Sequence, residues 1–154
     1  MKTYILKKES FINKSPDEVF AFFSRPENLE KVTPKHLQFK ILTSLPVEIH
    51  AGSIIDYQIK IYGIPFSWRT EIAVWEPTHR FVDIQVKGPY RVWIHEHRFE
   101  KYGTGTRMLD TLEYVVPGGW FAPLIHRLFV KKDLESIFNY RERKFDKIFT
   151  QKPE

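Results

Sequence analysis

The sequence predicts an α+β fold: a curved, seven-stranded antiparallel sheet, two short helices and one long C-terminal helix. Three observations carry this expectation. Short runs of alternating polarity recur between Gly- and Pro-containing turns, the mark of an antiparallel meander. After Pro117-Gly118-Gly119 the apolar period changes from 2 to about 3.6, the mark of an amphipathic helix. Near the start, Ser15-Pro16-Asp17-Glu18 has a capping residue, a proline suited to the first helical turn, and a glutamate three residues past the cap.

Thr3 to Ile12 reads as the first strand. The capped helix follows, with Val19, Phe20, Phe22 and Phe23 as its apolar residues, and Ser24-Arg25-Pro26 breaks it. A second short helix, Pro26 to Lys31, stops before Thr33-Pro34, because a residue preceding proline avoids the α region. Six further strands are expected. Leu37 to Leu42 comes first, and Ile54 to Tyr62 then sets Ile55, Tyr57, Ile59 and Ile61 on one face. After a Gly63-Ile64-Pro65 turn, Phe66 to Trp75 groups Phe66, Trp68, Ile72 and Val74; Arg80 to Lys87 groups Val82, Ile84 and Val86. Arg91 to Lys101 groups Trp93, His95, His97 and Phe99, and Arg107 to Val116 groups Met108, Asp110, Leu112 and Tyr114. From Trp120 to about Phe149 one stripe runs through Phe121, Leu124, Ile125, Leu128, Leu134, Ile137, Phe138, Arg141, Phe145 and Ile148, with a kink expected near Pro123. A sheet with one polar face must bury the other, and only this long helix is large enough to cover it.

At 154 residues the chain matches one domain, expected over residues 1–150 with a tail at 151–154. It has no cysteine, which excludes disulfides, thiolate nucleophiles and Cys-bound zinc. The charged N-terminus has no apolar run behind it and no stretch of about 18 apolar residues exists, so neither signal peptide nor membrane insertion is expected; a bacterial cytoplasmic location is. The net charge of +5 is dispersed among 19 acids, so no nucleic-acid partner is expected. Aromatic residues make up 16% of the chain, which suits a bulky core or a lined cavity equally.

The element order resembles the START-like helix-grip superfamily (SRPBCC), and the resemblance covers nearly the whole chain. Locally, Ser15-Pro16-Asp17-Glu18-Val19-Phe20 and Pro26-Glu27-Asn28-Leu29 look like the opening of many bacterial members. Gly88 to Phe99, with Met108-Leu109-Asp110 and Tyr114, looks like a ligand-binding, polyketide cyclase/dehydratase-like subgroup. The resemblance implies the helix-grip fold and an internal cavity for a small hydrophobic or amphipathic ligand. It implies no reaction, because this fold hosts carriers, receptors and enzymes.

The most informative constellation is His95, His97 and Asp110. Two residues apart on a strand, both imidazoles share a face with Trp93 and Phe99. A hairpin at Gly103-Thr104-Gly105 is expected to set His95 opposite Asp110 and His97 opposite Met108. Three readings stand: a structural hydrogen bond stiffening the wall, imidazoles orienting a ligand hydroxyl or carbonyl, and acid/base catalysis of the cyclase type. His-x-His with a facing carboxylate also has metal-ligand chemistry, but spacing this loose is unspecific, and neither metal nor cofactor is expected. Candidate ligand-binding residues are Tyr57, Trp68, Trp93, His95, His97, Met108, Tyr114, Phe138 and Arg141; ordinary core packing is the competing reading for the apolar ones. Arg141 interrupts the helix stripe, and either snorkels to the rim, the expected case, or meets an anionic ligand. Arg69 and Glu71 are expected to form a solvent-side charge pair. No phosphate-binding loop or Ser-His-Asp elbow occurs.

Overall fold

The computed structural model describes residues 1–150. The expected tail, 151–154, lies outside the described residues. The strands are β1 (Tyr4–Ile12), β2 (Lys40–Ile41), β3 (Ile54–Ile61), β4 (Ile64–Glu76), β5 (Arg80–Lys87), β6 (Val92–Tyr102) and β7 (Gly105–Val115). They form one antiparallel sheet in the order β1-β7-β6-β5-β4-β3-β2. Helices α1 (Pro16–Phe23) and α2 (Asn28–Val32) lie in the connection from β1 to β2; α3 (Ala122–Ile125) and α4 (Lys131–Thr150) follow β7. The helix-grip architecture is as expected, and no helix of the described residues is long and apolar enough to cross a membrane.

At the start of α1, Ser15 Oγ accepts the Glu18 amide hydrogen at 3.3 Å while Pro16 occupies the first turn. Helix α2 begins two residues later than expected, at Asn28, whose Nδ2 donates to the Phe22 carbonyl at 2.8 Å and ties the two helices together. The expected strand from Leu37 is mostly absent. Lys35–Leu37 form a 3-10 turn and Gln38 is left-handed (φ 44°), so only Lys40 and Ile41 pair with β3.

The β3–β4 turn is Tyr62-Gly63, both at positive φ, which matches the twist a two-residue hairpin requires. Ile64 and Pro65 therefore belong to β4 rather than to the turn. The β4–β5 register shifts between Arg69 and Thr70 and again between Ile72 and Val74. Past the second shift the inward phase changes, so Trp75 rather than Val74 faces the interior.

The β6–β7 hairpin closes at Tyr102 and Gly105, a two-residue turn. The ladder is offset by two residues from the expected pairing: His97 lies opposite Asp110, His95 opposite Leu112, and Phe99 opposite Met108. An offset of two leaves every side chain on its expected face, because the side-chain period is also two.

The helical region after β7 is not one regular helix. Pro123 sits harmlessly in the first turn of α3, and the irregularity is a π-helical stretch at His126–Val130. Its wider turn rotates the stripe. Phe121, Leu124 and Leu128 are about half exposed or more, as are Phe129 and the almost bare Trp120, whereas Leu134, Phe138, Arg141 and Phe145 of α4 are buried. His126 anchors this segment to the sheet: its Nε2 lies 2.8 Å from the Tyr114 hydroxyl, and its ring stacks on Tyr4 at 3.5 Å.

Two clusters of buried apolar residues flank the cavity-lining ones. One joins Val19 and Phe20 of α1 to Phe81, Phe99, Met108 and Phe145; the other joins Leu112 and Tyr114 of β7 to Leu134 and Phe138.

Candidate functional site

Between the concave face of the sheet and α4 lies a cavity of about 410 Å³. Its walls are Ile55, Tyr57 and Ile59 of β3, Trp68, Thr70, Ile72 and Trp75 of β4, Phe81 and Asp83 of β5, Trp93, His95 and His97 of β6, and Leu134, Ile137 and Arg141 of α4. The aromatic wall is continuous. Tyr57 stacks on Trp68 at 5.7 Å, and Trp68 meets Trp93 edge-on at 5.0 Å. Burial pushes the Tyr57 and Tyr90 phenols far above the ordinary tyrosine range, so both stay neutral.

Beside this aromatic wall, on the same face of the sheet and on α4, the polar side chains gather. His95 Nε2 lies 2.8 Å from Asp110 Oδ1, and His97 Nε2 lies 2.7 Å from Asp83 Oδ2. His97 Nδ1 is 3.2 Å from Asp110 Oδ1, close enough for charge attraction but without hydrogen-bond alignment. The two imidazoles lie 3.7 Å apart, and Phe81 stacks on His97 at 4.1 Å. Arg141 is only 8% exposed; its guanidinium lies over the rings of Phe138 at 5.3 Å and Phe145 at 5.7 Å.

The charges of this group are set by burial and by one another. Burial alone would raise the Asp110 and Asp83 carboxyls. Hydrogen bonds from the histidines and the nearby Arg141 charge outweigh it, and both are held below the usual carboxylate range. Burial alone would also lower both histidines. For His97 the carboxylates of Asp110 and Asp83 win, and its pKa is raised; for His95 burial and the neighbouring His97 win, and its pKa is lowered. Below the raised value of His97, ionised Asp83 and Asp110, cationic Arg141 and His97 and neutral His95 leave the cluster without net charge, as a low-dielectric site requires.

Each histidine ties stability to pH, in opposite directions. The contribution of His97 is present below its unfolded value of 6.5 and is lost as pH rises through its raised folded value. His95 works the other way: stability falls as pH drops from 6.5 towards its lowered folded value. Imidazole nitrogen NMR is expected to show His97 titrating above 6.5 and His95 below it. The reverse order would contradict this charge assignment.

Asp83, His95 and His97 each offer a donor atom within 4.8 Å of the others. In this structure His97 and Asp83 hydrogen-bond to each other.

The structure brings together six of the candidate ligand-binding residues around the cavity: Tyr57, Trp68, Trp93, His95, His97 and Arg141. Asp110 stands behind the histidines. Met108, 0% exposed, packs in the Phe20/Phe99 cluster, and Tyr114 is turned to His126, neither reaching the cavity. Phe138 lies beneath Arg141 and edge-on to His95. Arg141 does not snorkel to the rim: it sits on the inner face of α4, too deep for its stem to carry the charge to water. Arg69 pairs across the ladder with Asp56 rather than with Glu71, its neighbour but one on the same strand.

Asp83 was not among the expected site residues. The β-branched Val82, Ile84 and Val86 point to its opposite face, which is the convex one, and Val86 is more than half exposed. Phe81, two residues earlier on Asp83's own face, is the sequence signal that identifies the inward side.

Residues 12–139 match the family model described as polyketide cyclase / dehydrase and lipid transport. The chain belongs to that family. Solved structures of the same architecture cover both partners almost completely. The family member shares it with protein CV1439 from Chromobacterium violaceum (TM-score 0.74, 10% identity, 96% of this chain and 98% of that one). It also shares it with major latex-like protein 151 from Panax ginseng (0.71, 13%, 97% and 99%) and TTHA0849 from Thermus thermophilus (0.67, 19%, 94% and 99%). At these identities the likeness concerns the fold alone, and no curated protein sequence matches this family member significantly.

Proposed function

We propose that this chain binds a small hydrophobic or amphipathic molecule in the cavity between the sheet and α4. The observation that supports this reading most is the cavity of about 410 Å³, walled by aromatic and aliphatic side chains and polar at one side. That is the size and make-up of a small-molecule site. Three of the four tryptophans, Trp68, Trp75 and Trp93, line it. Titration with a panel of apolar and amphipathic compounds is expected to change tryptophan emission saturably for at least one. Native mass spectrometry of freshly purified protein is expected to reveal a retained small molecule. Absence of both results would reject the proposal.

One observation favours a second reading, acid/base catalysis of the cyclase or dehydratase type. His95 Nε2 is engaged by Asp110, while Nδ1 stands 4.0 Å from Asp83, outside hydrogen-bond reach. With Asp110 ionised, the neutral imidazole keeps its proton on Nε2, so Nδ1 has a free lone pair. A neutral imidazole oriented by a carboxylate is suited to removing a proton from a bound substrate. Once a substrate is known, His95→Gln is expected to lower turnover by about 100-fold or more. Unaltered turnover in a His95→Ala/His97→Ala double variant would exclude this chemistry.

A further inference from the structure

The buried arginine of the cavity has no partner of its own. Arg141 lies on the inner face of α4 and is 8% exposed, yet its Nε and Nη2 hydrogens meet no acceptor among the described residues. Asp83 and Asp110 feel its charge, but neither comes within 4.0 Å of it. Burying a guanidinium without an acceptor is costly. A fold that keeps one on a cavity wall has its donors placed for something that enters.

The free atoms specify the shape of that partner. Arg69 holds Asp56 through its Nε and Nη2, and Arg80 holds Glu76 through the same two nitrogens. This side-on edge presents two parallel N–H bonds matched to the two oxygens of a carboxylate. It is the edge that Arg141 leaves open. Trp68, on the sheet side of the same cavity, also carries a buried and unbonded donor, Nε1.

We infer that the guest of this cavity is an amphipathic carboxylic acid, its carboxylate seated on the Nε/Nη2 edge of Arg141 and its apolar body against the tryptophan wall. The inference rests on the ligand-binding reading above and adds the chemical class. It also meets a constraint of charge. With His97 protonated, the cluster of Asp83, Asp110, His97 and Arg141 is neutral, so a bound carboxylate leaves one negative charge in excess. His95 is the group that can remove it. It is neutral, it borders the cavity, and its Nδ1 can take a proton. The charged and titratable groups around it are Asp83 of β5, His97 of β6, Asp110 of β7 and Arg141 of α4. Two of these are anions, so a third anion favours its protonation. Binding is then coupled to uptake of one proton.

The test uses naphthyl-alkanoic acids and the alcohols of the same carbon skeletons, titrated against the full chain by calorimetry in buffers of different ionisation enthalpy. The acids are expected to bind about 10- to 100-fold more tightly than the alcohols, the advantage of a charge-assisted bidentate contact. Their affinity is expected to rise as pH falls from about 8 to 6, approaching tenfold per unit, with net proton uptake. Arg141→Lys, which keeps the charge but lacks the fork, is expected to lose most of the preference for acids over alcohols. Equal affinity of acids and alcohols for the unaltered protein overturns the inference and leaves the ligand-binding reading standing. Failure of both series to bind overturns both. An unchanged acid preference in folded Arg141→Lys, judged by its circular dichroism, overturns the seat assigned to Arg141.

Discussion

Asp110→Ala is expected to destabilise the fold by about 3–5 kcal/mol, read as a lower urea midpoint at unchanged slope. Asp110 is 4% exposed, and one oxygen, Oδ1, is 2.8 Å from His95 Nε2 and 3.2 Å from His97 Nδ1. Removing it strands two buried imidazoles and leaves Asp83 as the sole anion against the positive charges of His97 and Arg141. Breaking a buried ionic group by deleting one partner costs far more than the group as a whole contributes, because the survivors remain out of water. Asp110→Asn keeps the shape and an acceptor for His95, so its cost should be smaller. It should also grow as pH falls through the raised folded value of His97 towards 6.5, as the charged imidazole loses an anion it needs. A loss below about 1 kcal/mol for the alanine variant would mean that water, not Asp110, satisfies the histidines.

Phe99→Ala is expected to cost about 3–5 kcal/mol, while Trp68→Ala is expected to cost clearly less, though the parent side chains are 3% and 4% exposed. The difference lies in what each ring touches. Phe99 is enclosed by the rings of Phe20, Phe23 and Phe81, at centroid distances of 5.3 to 6.0 Å. Its removal opens a void in packed surroundings. Trp68 already borders the cavity on one side, so part of its surface has no contact atoms to lose. The larger consequence of Trp68→Ala should appear in ligand titration. Equal destabilisation by the two changes would mean that the space beside Trp68 is filled in solution.

The fold was legible because its signals are local. Alternation placed Ile55 to Ile61, Trp93 to Phe99 and Met108 to Tyr114 on their observed faces, and the Ser15 cap marked α1. What could not be read depended on register and on irregular backbone. A hairpin offset of two residues preserves faces but exchanges partners, so the face of His97 agrees with expectation while its partner is Asp110 and not Met108. The shift near Ile72 reversed the phase of Val74 and Trp75, which no periodicity rule sees in advance. Asp83 was hidden because β5 carries apolar side chains on both faces. The depth of Arg141 depends on how α4 seats against the sheet, a property of the whole assembly and not of the helix sequence.

The two apolar clusters have a thermal consequence. Neither spans the molecule, and both border the cavity, one through Phe81 and the other through Leu134. A molecule lodged there would act as a keystone between them. Occupied and vacant forms should then melt at separate temperatures. At a guest concentration 100 times the dissociation constant the gap corresponds to about 2.7 kcal/mol. Heating freshly isolated material beside a sample stripped by unfolding and refolding would show two transitions where a filled, continuous core would show one.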